Sequence, residues 1–227
     1  RGKRVGLITN PTGIDREGNR NLDDMLAAGV DVTAGFSPEH GWSGVLDASV
    51  SNTRDAKTGI PVFSAYGSGQ DGRLPPDAGL KRVNVLVYDI QDLGVRYYTF
   101  ETTLAYTLQA AAAHHLPVIV LDRPAPLDGI NVEGPPLDQA NVSFTGYFPG
   151  MPVRNCMTAG ELARMFNQSI GADLLVVPMR GWSRGDFYDE TGLPWVNPSP
   201  NLRNLTEAVL YPVVALMEAT NISVGRG

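Results

Sequence analysis

The stretch VNVLVYDIQD, residues 83–92, decides the fold of this chain. Its first part, residues 83–88, is almost continuously apolar and rich in valine, which is typical of a parallel strand covered on both faces. Asp89, Gln91 and Asp92 follow at once and mark the end of that strand. Because ligands of open α/β sheets bind outside the carboxyl ends of the strands, these polar residues are the first candidates for a functional site.

Strands and helices are predicted to alternate on both sides of this stretch. Further strands are expected over residues 5–9, 30–36, 118–121 and 174–177, and helices over residues 21–28, 99–115, 158–168 and about 207–219. Asn21 is expected to cap the first helix, a T-x-x-E capping box begins the third at Thr158, and Pro212 is expected to bend or break the last. The alternation predicts one α/β domain over residues 1–227, with a mostly parallel sheet and helices on both faces.

Composition and missing motifs exclude several classes of function. The chain has a formal net charge of −6 and no cluster of Lys and Arg, which argues against a nucleic-acid partner. No apolar run approaches the roughly 18 residues that a membrane span needs. A lone Cys156 and three histidines provide no zinc ligand set, and the G-x-x-x-x-G-K-[ST], G-x-G-x-x-G and G-x-S-x-G motifs are missing. We therefore expect neither a metal nor a cofactor.

Polar residues follow four of the predicted strands, so they should meet at one edge of the sheet. The candidates are Asn10 after the first strand; Glu39 and His40 after the second; Asp89, Gln91, Asp92, Arg96 and Tyr98 after the third; and Asp122 and Arg123 after the fourth. This convergence predicts a polar cleft that bears arginines and suits an acidic ligand.

Glu39 and His40 are the candidates best suited to acid/base catalysis. A Glu next to a His, in a loop framed by Pro and Gly, offers a general acid/base near neutral pH. Alternatively, Glu39 caps a short helix or pairs with an Arg, and His40 packs in the loop. Asp89 and Asp92 could divide acid and base roles in glycoside hydrolysis, or could instead bind the backbone of the following loop.

Arginines and aromatic residues near the strand ends could contact a ligand. The guanidinium groups of Arg96 and Arg123 suit a carboxylate or phosphate, although salt bridges within the protein would explain them equally well. Aromatic side chains in the loops could stack on sugar rings or pack in the core, and these are Trp42, Tyr97, Tyr98, Trp182 and Trp195.

Several of these motifs together resemble one known family. The segments KRVGLITNPTGID, SPEHGWSG, YDIQDLGVRYYTF, VLDRPAPLDG, MTAGELARMFN and GLPWVNPSPNL occur in order along the chain. They resemble the NamZ-type exo-β-N-acetylmuramidases, formerly a domain of unknown function. The similarity spans essentially the whole chain, and PEHG, D-I-Q-D-x-G-x-R-x-Y-T and LDRP are its most specific parts.

The resemblance implies a bacterial glycoside hydrolase of the periplasm, the cell envelope or the extracellular space. Such an enzyme releases terminal non-reducing β-1,4-linked N-acetylmuramic acid from peptidoglycan fragments during cell-wall turnover and recycling. The resemblance further implies a Rossmann-like N-terminal domain and a smaller C-terminal domain, which would lie beyond Gly227. It implies Glu39 as the catalytic acid and places His40, Asp89, Gln91, Asp92, Arg96, Tyr98 and Arg123 in the pocket.

Two local departures from the family pattern weaken the expected substrate contacts. Ala125 stands where the family has Asn in LDRPNP, and Ala219 and Val224 replace Gly and Glu in its E-G-T-N-x-S-E-G-R-G motif. A non-catalytic module that binds muropeptides or sugars through the same fold therefore remains an alternative. A nucleotide-binding protein is the third hypothesis, which the missing glycine motif disfavours.

Overall fold

The computed structural model describes residues 2–47, 49–67 and 71–223. Its strands are β1 (Arg4–Thr9), β2 (Asp31–Ser37), β3 (Thr53–Arg54), β4 (Pro61–Ser64), β5 (Val85–Asp89), β6 (Val118–Leu121) and β7 (Leu174–Val177). Its α-helices are α1 (Asn21–Ala27), α2 (Asp77–Leu80), α3 (Phe100–His114), α4 (Ala159–Ile170) and α5 (Leu205–Val214). Within these residues, no helix is long and apolar enough to cross a membrane.

These strands form one seven-stranded sheet in the order β3-β4-β2-β1-β5-β6-β7. The short edge strand β3 is antiparallel to β4, and the other neighbouring strands pair in parallel. The chain builds outward from β1 to one side and from β5 to the other, so the strand order reverses between β1 and β5. Thr9 lies opposite Asp89 at that point, where open α/β sheets leave a crevice. The predicted α/β class with a mostly parallel sheet is confirmed.

Alternating side chains of the sheet bury two apolar layers. On one face Ile8, Leu86 and Tyr88 pack with residues of α3 and α4, and Phe166 of α4 is fully buried there. On the other face the neighbouring strand positions, such as Leu7, belong to a smaller cluster with residues of α1. Helices therefore cover both faces, and the loops at the carboxyl ends of the strands stay free to build a site.

Most predicted elements are confirmed, with ends shifted by a few residues, and the capping box at Thr158 is present. The elements β3, β4 and α2 were not predicted, because they have only two to four residues each, too few for a periodic pattern. Pro212 does not break α5, which continues to Val214 and then tightens into a 3-10 turn. Val224 lies outside the described residues.

The predicted N-cap of α1 was wrong. Arg20 has the extended backbone of the N-cap position, and its side chain makes no capping bond. Asn21 is the first helical residue, and its amide donates to Thr9 Oγ1 and Asp89 Oδ2. A residue type that normally caps a helix is used here for a contact across the sheet edge, which the local sequence could not show.

Candidate active site

Glu39 lies in the loop that follows β2, and hydroxyl groups hold both of its carboxylate oxygens. Tyr66, just after β4, donates to Oε1 at 2.7 Å. Thr99, at the start of α3, donates to Oε2. Two separate elements therefore fix the orientation of this half-buried carboxylate, and both donors are neutral.

His40 is held in an unusual backbone conformation next to Glu39. Its φ is +67°, in the left-handed region that residues with a Cβ rarely adopt. The ring Nδ1 lies 2.8 Å from the carbonyl oxygen of Leu46, and the carbonyl oxygen of His40 accepts from the N–H of Leu46. The loop thus closes on itself around His40, and a strained residue next to a candidate acid/base is typical of a functional site.

Glu39 and His40 line a cleft of about 320 Å³. Tyr97, Tyr98 and Tyr211 contribute to its walls, and the ring centroids of Tyr98 and Tyr211 are 5.5 Å apart. Burial raises the pKa of Tyr97 to about 12 and that of Tyr98 well above its usual range. These tyrosines therefore stay protonated near neutral pH, and their rings give the cleft an aromatic wall that suits a sugar.

Residues of α5 and of the segments directly before and after it also line this cleft. They include Arg203, Glu207 and Glu218. The Arg203 side chain is 68% exposed, and its Nε is 3.9 Å from Glu207 Oε1. The cleft thus combines carboxylates, an exposed guanidinium and aromatic rings.

Asp89 does not line this cleft, and its carboxylate is engaged elsewhere. Arg123 Nε donates to Asp89 Oδ1 at 2.6 Å, and Asn21 Nδ2 donates to Oδ2 at 2.7 Å. Arg123 also donates from Nη2 to the carbonyl oxygen of Ile14. Asp89, Arg123 and Asn21 therefore form a compact centre, called the Asp89 centre below, that ties β5, β6 and α1 together at the switch point of the sheet.

Asp92 is buried, and it lines neither the Glu39 cleft nor the cleft around the Asp89 centre. Its Oδ2 accepts from the N–H of Gly94 at 2.7 Å, and burial raises its pKa to about 6. Nearby Glu101 is also buried, and burial followed by the charge of Asp92 raises its pKa well above the usual range. Asp92 therefore does not line the cleft that contains Asp89. The predicted catalytic roles of both residues stay predictions.

Asn10 and Gln91 are buried and fix the loops after β1 and β5. Asn10 Oδ1 accepts from the N–H and the hydroxyl group of Thr12. Gln91 Nε2 donates to the carbonyl oxygens of Asp92 and Pro124. Neither residue lines the Glu39 cleft, although Asn10 borders a separate cleft beside Trp42, and their predicted roles in substrate binding stay predictions.

Arg96 and Asp122 also make bonds within the protein. Arg96 Nη1 donates to the carbonyl oxygens of Pro135 and Met151, at 2.8 and 2.6 Å. Asp122 Oδ1 accepts from the N–H of Gly160 at 2.7 Å, in the first turn of α4, where the helix dipole favours a negative charge. Of the predicted site residues, the structure brings Glu39, His40 and Tyr98 together in one cleft.

The predicted loop tryptophans are spread over different surroundings. Trp42 donates from Nε1 to Asp55 at 3.0 Å, and Trp195 packs edge-on against Tyr188. Trp182 borders a separate cleft that contains the Asp89 centre. The aromatic wall beside Glu39 is made of tyrosines instead.

The sequence placed Thr99 in the polar segment that follows the third predicted strand, but it did not single out Tyr66 or the residues of α5 as parts of a site with Glu39. The signal for Thr99 was its place at the start of a predicted helix, directly after the Tyr97-Tyr98 pair. No such signal existed for Tyr66, because it follows the short strand β4, which the sequence did not reveal.

Comparisons with known proteins identify the family. A family model described as "Exo-beta-N-acetylmuramidase NamZ, N-terminal" matches residues 5–206. The chain belongs to this family. It is 44% identical over 232 residues to the peptidoglycan beta-N-acetylmuramidase NamZ of Bacillus subtilis (strain 168), and the match covers 100% of this chain and 55% of that protein.

Two crystal structures of DUF1343 family proteins from Bacteroides fragilis NCTC 9343 have the same fold as this chain. One superposes with a TM-score of 0.87 at 40% identity and covers 96% of this chain and 56% of that protein. The other has a TM-score of 0.84 at 36% identity and covers 100% of this chain and 60% of that protein. The chain thus spans little more than half the length of the relatives that it matches.

Proposed function

We propose that this NamZ-family chain belongs to an exo-acting hydrolase that releases N-acetylmuramic acid from the non-reducing end of peptidoglycan fragments. The observation behind the proposal is the position of Glu39, whose carboxylate is fixed by two hydroxyl groups inside a cleft lined by tyrosines. The B. subtilis relative, a peptidoglycan beta-N-acetylmuramidase, suggests the substrate class.

In this proposal Glu39 acts as general acid, or as acid and base in turn. It protonates the glycosidic oxygen while the bond from the sugar's anomeric carbon to that oxygen breaks, and water adds to the anomeric carbon. Asp47, Glu207 and Glu218 are the other carboxylates that border the cleft among the described residues. One of them, or the N-acetyl group of the substrate, would complete the mechanism.

Arg203 is the arginine best placed to meet the lactyl carboxylate that distinguishes N-acetylmuramic acid from N-acetylglucosamine. Arg96 and Arg123, the first choices from the sequence, are both engaged inside the protein, with backbone carbonyls and with Asp89. Arg203 borders the same cleft as Glu39, and its side chain is mostly exposed. An exposed guanidinium can form a bidentate pair with a carboxylate on arrival of the ligand.

The same proposal assigns the protein to cell-wall turnover in the bacterial periplasm or outside the cell, where peptidoglycan occurs. Fractionation of the producing cells tests this assignment. Recovery of the protein with the cytoplasm alone would contradict it.

The Glu39→Gln variant of the intact protein tests the catalytic assignment. The amide keeps the size of the side chain and one acceptor oxygen, and its NH2 group can donate to the second hydroxyl group in place of the lost acceptor. It has no proton to deliver, so we expect the release of N-acetylmuramic acid or of its 4-nitrophenyl glycoside to fall by about 1,000-fold or more. The midpoint of thermal unfolding should stay close to that of the wild type. Near-normal turnover by the variant would rule out Glu39 as the acid.

A sugar-binding module without catalysis gives a different pattern. Calorimetry would then show binding of muramyl ligands by the intact wild-type protein, while no N-acetylmuramic acid is released over long incubation. Turnover by the wild type that is lost in Glu39→Gln excludes this alternative.

A further inference from the structure

We propose that Tyr66 and Thr99 are positioning residues that hold Glu39 in the orientation needed for proton transfer, an inference that rests on the proposed function. Each hydroxyl group donates to a different oxygen of the carboxylate. Tyr66 and Thr99 are separated from Glu39 by 27 and 60 positions in the sequence, so the arrangement is a product of the fold and not of a local turn.

Thr99 binds Glu39 instead of making the helix-capping bond that is usual at its position. It occupies the N-cap position of the 15-residue helix α3, where a Thr hydroxyl commonly accepts a bond from the first turn. Here the Thr99 side chain makes no capping bond, and its backbone is helical instead of extended. The hydroxyl group therefore serves Glu39 and not the helix, which indicates a role in the site.

Tyr66 is held in place by its ring and acts through its hydroxyl group. Its ring packs on Phe144 with centroids 5.7 Å apart, and the guanidinium carbon of Arg73 lies 4.1 Å from the Phe144 ring centroid. Burial, and then the hydrogen bond to Glu39, raises the pKa of Tyr66 to about 12. Tyr66 thus remains a hydrogen-bond donor at every pH where a cell-wall enzyme would work.

Two donors on opposite oxygens restrict rotation about the terminal bond of Glu39. A free glutamate samples a broad range of this angle, and only part of that range points a carboxyl oxygen at the glycosidic bond. Small errors in the placement of a catalytic group reduce the rate strongly, by roughly 100-fold for an error near 1 Å. Loss of either hydroxyl group should therefore reduce kcat more than it changes substrate binding.

The test compares four variants of the intact protein on the muramyl substrate. Tyr66→Phe and Thr99→Val each remove one hydroxyl group with little change in shape, and we expect kcat to fall by about 10- to 100-fold while KM stays within about twofold. Thr99→Ser keeps the donor and should restore most of kcat. Tyr106→Phe is the matched control, because Tyr106 packs on the same Phe144 ring without contacting Glu39.

Three results would overturn the proposal. They are a kcat within twofold of the wild type in both Tyr66→Phe and Thr99→Val, a loss that appears in KM only, and an equal loss in Tyr106→Phe. Crystal structures of the variants give a readout that does not depend on the proposed function. If the wild type turns over no muramyl substrate, that function fails, whereas a Glu39 side chain that keeps its orientation in both variants shows that these hydroxyl groups do not position it.

Discussion

Glu39 and Asp89 are both carboxylates at the carboxyl edge of the same sheet, and the structure treats them in opposite ways. Asp89 ends β5, is 2% exposed, and is paired with the Arg123 guanidinium and the Asn21 amide. Glu39 follows β2, faces a cleft, and accepts hydrogen bonds from two neutral hydroxyl groups. A carboxylate paired with a mostly buried arginine holds elements together, whereas one that neutral hydroxyl groups orient borders a cleft that a ligand can enter.

The largest expected difference between Asp89 and Glu39 is in how much each contributes to the stability of the fold. Asp89→Ala leaves the mostly buried Arg123 without its partner, so the free energy of unfolding should fall by about 3–5 kcal/mol in urea denaturation. Glu39→Gln should change it by no more than about 0.5 kcal/mol. The double variant with Asp89→Ala and Arg123→Met removes the unpaired charge and should recover part of the loss. Equal destabilisation by Asp89→Ala and Glu39→Gln would contradict the division of roles.

The next effect concerns the buried Asp92, which belongs to neither region. Its folded-state pKa of about 6 lies above the ordinary value of 3.8, so the folded protein binds its proton more tightly than the unfolded chain does. Stability from this group is present below about pH 4 and is lost as the pH rises through about 6, on the order of 3 kcal/mol in total. Asp92→Asn removes this titration.

Chemical unfolding from pH 4 to pH 8 measures the Asp92 contribution. The stability of Asp92→Asn relative to the wild type should increase across the range, and the difference should be constant above about pH 7. Groups that do not interact with Asp92 cancel in this comparison because both proteins contain them. The pKa of Glu101 is raised in part by the charge of Asp92, so the measured difference belongs to Asp92 and Glu101 together. A difference that does not change with pH would show that Asp92 stays ionised in its buried position.

The smallest expected effect tests whether the backbone of the Glu39 loop is strained at His40. His40 has a positive φ, which costs a residue with a Cβ about 1 kcal/mol and costs glycine almost nothing. His40→Gly should therefore be more stable than His40→Ala by about 1 kcal/mol in thermal unfolding, because both variants lose the same imidazole. Equal stability of the two variants would show that the loop relaxes and stores no strain at this position.

The sequence predicted the scaffold better than the site. Apolar runs such as residues 118–121 and 174–177 gave strands with the observed bounds, because a short apolar run between turn residues has a local signature. Arg96 and Arg123 were interpreted as ligand contacts, yet their guanidinium groups contact backbone carbonyls and Asp89. A side chain's partner is not encoded near the residue itself, so this part required the folded chain.

The sequence by itself determined that strand ends would gather polar residues at one edge, and that Glu39 and His40 would stand in a shaped loop there. Only the tertiary structure decided which carboxylate is paired with an arginine and which one is held by neutral hydroxyl groups. Asp89 meets Arg123 and Asn21 across 34 and 68 positions, and Glu39 meets Thr99 across 60. Contacts over such separations depend on the order of the strands in the sheet, which no local pattern of residues specifies.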